Sequence, residues 1–111
     1  MLDRVCKRCI GLAVLPALMA ACATTPPPTE QLSAARAMVA QAQPLAVGEG
    51  AAELGMAQRK LERAESAMQS GQYVEARILA EQAEVDAKYA WTLAESARLQ
   101  RAAATLERRP Q

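Results

Sequence analysis

The chain opens on a polar and basic start, passes through one uncharged apolar run, and then settles into apolar positions that recur every three and four residues. The run, Ile10 to Ala21, is 12 residues long; as a helix it would reach about 18 Å, short of the roughly 30 Å hydrocarbon core, so it does not read as a membrane span. The periodic part predicts three helices. Leu32, Ala35, Val39, Ala42 and Ala46 share one face of a helix over about 30–47, with Thr29 as its N-cap. Leu54, Ala57, Leu61, Ala64 and Met68 do the same over about 51–69, and Tyr73, Ala76, Ala80, Ala83, Ala87, Ala90, Ala94 and Ala97 form one unbroken stripe over about 73–109. Gly48-Glu49-Gly50 and Ser70-Gly71-Gln72 supply the breaks, with Gly71 free to close a helix in the left-handed conformation. Pro44 disturbs the last turn of the first helix, which frays after Gln43.

The third helix carries a second stripe almost opposite the first. Ile78, Val85, Thr92, Leu99 and Leu106 repeat at sevens, and charged residues separate them from the alanines. One helical neighbour cannot cover both stripes. Helix 1 is expected to cover the second, as bundles commonly arrange; the alternative is a self-association or partner seam.

The fold class that follows is all-α, with a helical domain over 30–109. Short connections favour an antiparallel up-down-up bundle whose long third helix overhangs the other two. The competing architecture is one long helical hairpin with a broken first arm. The two differ in a checkable way: in the bundle Leu32 or Val39 approaches Ile78 or Val85, and in the hairpin they approach Ala97 or Leu99.

The start of the chain has the plan of an export signal: basic Arg4, Lys7 and Arg8, then the apolar run, then small residues. Residues 1–21 are read as a signal peptide and 22–29 as Cys22 plus a proline-rich linker containing Pro26, Pro27 and Pro28. Extended at about 3.1 Å per residue, that linker reaches some 20 Å. Leu18-Met19-Ala20-Ala21-Cys22 resembles the lipobox of bacterial lipoproteins. The resemblance implies acylation of the Cys22 thiol, cleavage before it and a membrane partner held through the acyl chains. Ala23, rather than aspartate, after that cysteine implies the outer membrane, periplasmic face. Ordinary cleavage near Cys22, releasing a soluble protein, is the alternative. Cys6 and Cys9 form a CxxC, but both lie in the segment to be removed and no second pair completes a zinc site.

Composition narrows the function classes further. There is no histidine, which excludes histidine-based triads and histidine metal sites. With 13 basic and 12 acidic residues the charge is nearly balanced, so nothing argues for nucleic acid. The acidic residues sit at salt-pair spacing on helix surfaces, and no glycine-rich phosphate loop follows a strand. No catalytic residue, cofactor site or metal site is assigned. Alanine, the strongest helix former, dominates the rest; a small domain with so thin a core is marginal alone, which points to a partner.

Two resemblances bear on identity. Gly71, Tyr73, Ala76, Ala80 and Ala83 resemble the middle of a tetratricopeptide repeat, but nothing recurs at its 34-residue period. The broader likeness runs through Thr29-Glu-Gln-Leu32, Ala57-Gln-Arg-Lys-Leu61, Gly71-Gln-Tyr73 and Ala76-Arg-Ile-Leu-Ala80-Glu-Gln-Ala83. These resemble the alanine-rich bacterial lipoproteins of domain-of-unknown-function family 4398, often found with OmpA-like peptidoglycan-binding modules. That family has no assigned activity; Cys22, the missing catalytic groups and the second stripe lead to the expectation of a non-catalytic, lipid-anchored helical protein of the Gram-negative envelope, acting as an interaction or structural module. An accessory role beside an OmpA-like protein, through non-covalent contact with peptidoglycan or envelope, is the alternative.

Overall fold

The computed structural model describes residues 24–110. Three helices follow one another: α1 (Thr29–Ala42), α2 (Ala51–Gln69) and α3 (Tyr73–Glu107). Of the described residues 78% are helical, and none lies in a strand. The expected signal peptide, 1–21, and the expected acylation site, Cys22, lie outside the described residues.

The helices begin and end where backbone groups find partners. Thr29 is the first residue of α1 rather than its cap. The cap position belongs to Pro28, which offers no side-chain bond; its carbonyl accepts the Leu32 N–H at 3.1 Å. Pro28 is fully buried, so the proline-rich segment is docked where it enters α1. α1 stops at Ala42, five residues short of the predicted end. Pro44 has no N–H to continue the ladder, and the chain tightens into turns in which Leu45 and Ala46 both donate to the Ala42 carbonyl. α2 ends in a Schellman motif: Gln72 N–H bonds Ala67 O at 2.9 Å and Gly71 N–H bonds Met68 O at 3.2 Å. Gly71 has φ +74 there.

Two clusters along the bundle fix its topology. Leu32 and Ala35 of α1 meet Ala64 of α2 and Leu79, Ala80 and Ala83 of α3. Further along, Val39 and Ala42 meet Leu54 and Ala57 of α2 and Ala87, Ala90 and Ala94 of α3. The order rises along α1, falls along α2 and rises along α3, which is the up-down-up bundle. The broken-arm hairpin is excluded, because Leu32 and Val39 do not lie near Ala97 or Leu99.

The contacts of α1 differ from the expected ones in one respect. Leu32 and Val39 reach Leu79, Ala83 and Ala90, not Ile78 or Val85. Helix α1 does not cover the second stripe. Both α1 and α2 sit on the alanine side of α3. An arc of alanines, flanked by Leu79, is wide and shallow enough to seat two neighbours.

Twelve of the sixteen buried hydrophobic residues are alanine, and no polar or charged residue is buried among the described ones. A buried alanine gives up one methyl, worth about 0.8 kcal/mol. The helices therefore gain by coming close together, so that backbone and Cβ atoms touch, rather than by interlocking long side chains. Gly50 shows how close. It precedes α2 with φ +85, and a Cβ there would lie 2.3 Å from the Ala90 carbonyl oxygen. The α1–α2 connection is thus seated directly on the backbone of α3.

Candidate interaction surface

Helix α3 has 35 residues and is about 52 Å long. Its last buried residue is Ala94. From Glu95 to Glu107 no residue is buried, so this part overhangs the bundle.

The stripe singled out in the sequence faces solvent along the whole helix. Ile78 is 48% exposed, Val85 66%, Leu99 61% and Leu106 67%, and Thr92 is exposed with its hydroxyl donating to the Lys88 carbonyl at 2.9 Å. Tyr89 beside it is 54% exposed. α3 therefore turns its smallest apolar side chains inward and several of its largest outward.

Between the seven-spaced residues stand Gln82, Tyr89, Ser96 and Ala103, also exposed. None is charged. Together the two rows make an uncharged ladder at alternating three- and four-residue steps. The charges nearest it are Glu81, Lys88 and Glu95 along one edge and Asp86 and Glu107 along the other. Sequence reasoning found the sevens and missed Gln82, Ser96 and Ala103. Their signal was the absence of charge at those positions on a helix otherwise rich in it.

Ion pairs brace the other sides. Arg36 Nε meets Glu65 Oε1 at 2.6 Å between α1 and α2. Lys60 Nζ meets Asp86 Oδ2 at 2.6 Å between α2 and α3, with only 32% and 22% of the two side chains exposed. Asp86 Oδ2 is itself shut off from solvent and accepts no hydrogen bond in regular geometry, so the ammonium is what compensates it. Arg63 and Glu75 stand 3.9 Å apart. Glu84 and Lys88, spaced for a pair, form none; Arg98 reaches Glu95 at 3.9 Å instead.

A second feature lies at the start of α3. An open cavity of about 820 Å³ is bounded by Thr24 and Thr25 of the linker and by Tyr73, Val74, Ile78 and Leu79. The linker leading back to Cys22 thus runs beside the α2–α3 turn. No group of three or more histidine, cysteine or acidic side chains capable of holding a metal occurs among the described residues. No described helix is long and apolar enough to cross a membrane.

No curated protein and no solved structure matches the chain. A family model does match, over residues 30–106, which takes in all of α2 and nearly all of α1 and α3. The chain belongs to the family described as Domain of unknown function (DUF4398).

Proposed function

We propose that this protein is a helical interaction or structural module of the Gram-negative cell envelope, without catalytic activity, anchored to the periplasmic face of the outer membrane through acyl chains on Cys22. The observation that carries the reading is the ladder on α3. A helix that exposes Ile78, Val85, Tyr89, Leu99 and Leu106 along one line offers an uncharged surface rich in large apolar side chains, and such surfaces serve contact with other molecules. The chemistry before residue 24 supports the anchor: a basic start, a short apolar run and two alanines ahead of a cysteine. Each buried methylene of an attached chain contributes about 0.8 kcal/mol, so several chains hold a small domain stably where one does not.

Two measurements in cells test the two halves of this reading. Growth with a clickable fatty acid labels the wild-type chain, and Cys22→Ser loses the label; retention of label by that variant would overturn the anchor. A photo-crosslinking residue in place of Leu99 yields a defined adduct. If it captures nothing, the interaction role falls.

A further inference from the structure

We infer that the surface of α3 pairs with the same surface of a second copy of this chain, the two helices running antiparallel with Tyr89 level with Thr92 of the second copy. The inference rests on the reading of this face as an interaction surface and specifies what occupies it.

The spacing comes first. Ile78, Val85, Thr92, Leu99 and Leu106 repeat at seven without a slip, and Gln82, Tyr89, Ser96 and Ala103 interleave at seven as well. Two interleaved seven-residue rows are the pattern by which one helix packs along another in a left-handed supercoil. All nine positions are exposed and uncharged. The overhang beyond Ala94 buries no residue, and a helix of that length is marginal in water without a packing partner. A second α3 laid along the ladder covers both the bundle part and the overhang.

Charge decides the direction. In parallel pairing, residues flanking the seam meet partners five positions on. Glu81 would then face Asp86, Lys88 would face Leu93 and Glu95 would face Gln100, which is one like-charge contact and no attraction. In antiparallel pairing the edge carrying Glu81, Lys88 and Glu95 meets itself. With Tyr89 level with Thr92, Lys88 comes within about 3 Å along the axis of Glu95 of the second copy, and the two-fold symmetry makes that pair twice. Sliding by one heptad in either direction loses it. One slide sets Glu95 against Glu95, and the other sets Lys88 against Lys88 and Glu81 against Glu95.

Size agrees with charge. In the favoured register Ile78 meets Ala103, Val85 meets Ser96 and Tyr89 meets Thr92, large against small in these layers, while Leu99 meets Gln82 and Leu106 lies level with Glu75. Alternating sizes across facing positions is how such seams fill without voids. The linkers then leave from opposite ends of the pair, and a two-fold axis normal to a bilayer carries both to one surface.

The test is disulfide formation in cells expressing the full chain, with the unsubstituted chain oxidised alongside to report any link through its own cysteines. Gln82→Cys combined with Leu99→Cys is expected to give a linked dimer. Leu99→Cys alone is not, because the two copies of position 99 lie about 25 Å apart along the axis. On the linking background, Lys88→Glu or Glu95→Lys alone lowers the rate of linking about tenfold, and the two together restore it. Linking by Leu99→Cys alone as fast as by the pair would show a parallel dimer and overturn the inference. So would failure of the double charge reversal to rescue. If neither variant links while the photo-probe at Leu99 captures a different protein, the second copy is wrong and the interaction role stands; if neither links and nothing is captured, both fall.

Discussion

The two apolar faces of α3 differ in a way opposite to side-chain hydrophobicity. The face that is buried is made of Ala76, Ala80, Ala83, Ala87, Ala90 and Ala94, while the face in solvent carries Ile78, Val85, Leu99 and Leu106. Burial by area alone would have favoured the second face, since a valine or leucine removed from water yields about 1.5–3 kcal/mol against less than 1 for one methyl. What favours the first is distance. Two helices can approach a line of alanines at once, each gaining backbone contact, dispersion and the Gly50–Ala90 seat. The thin core holds the fold, and the thick stripe is left for something else.

That contrast can be broken from either side. The largest effect is expected from Gly50→Ala, where a left-handed φ and a Cβ 2.3 Å from a backbone oxygen act together; it should destabilise by about 3 kcal/mol or more, read as the shift in urea midpoint. Ala87→Leu should come next, at roughly 2–3 kcal/mol, because Ala87 has no exposed surface and sits in the packed cluster with Val39, Leu54 and Ala57, which leaves no room for three more carbons. Gly71→Ala sharpens the first comparison. Its φ is also left-handed, yet nothing lies within 4 Å of the added carbon, so only the conformational cost of about 1 kcal/mol remains. Lys60→Ala leaves the enclosed Asp86 oxygen without its cation and should cost about 1 kcal/mol. Leu99→Ser, on the solvent face, should change the stability of the undimerised chain by less than about 0.5 kcal/mol, with circular dichroism unchanged. A large loss there would mean that the outer stripe supports the fold after all.

Much of this was legible in the residues. Gly48-Glu49-Gly50 and Ser70-Gly71-Gln72 marked both turns, the alanine repeat marked the inner face of α3, and the lengths of helices 2 and 3 required an overhang. Three things were not. Thr29 looked like a cap, but the chain entering from three prolines puts Pro28 in that place. The end of α1 depended on whether Leu45 and Ala46 continued the helix or turned back to bury Ala46, which tertiary contact settled in favour of turning. The seat of α1 was misplaced because one stripe was allotted to one neighbour. Alanine periodicity shows where helices approach, but not how many. Of the candidate surface, the seven-spaced row was readable and its exposure was not, since the same pattern describes a covered face equally well.

The glycine seated on the Ala90 carbonyl also gives α3 a reference point along its length. The connection of α1 and α2 meets α3 there, and the helix runs on beyond Ala94, its last buried residue, to Glu107. Seven residues inserted after Gln100 would extend that projection by about 10 Å while keeping every side chain on its original side. Nothing in the clamp would register the change, so reach can be altered by lengthening the rod without redesigning the grip.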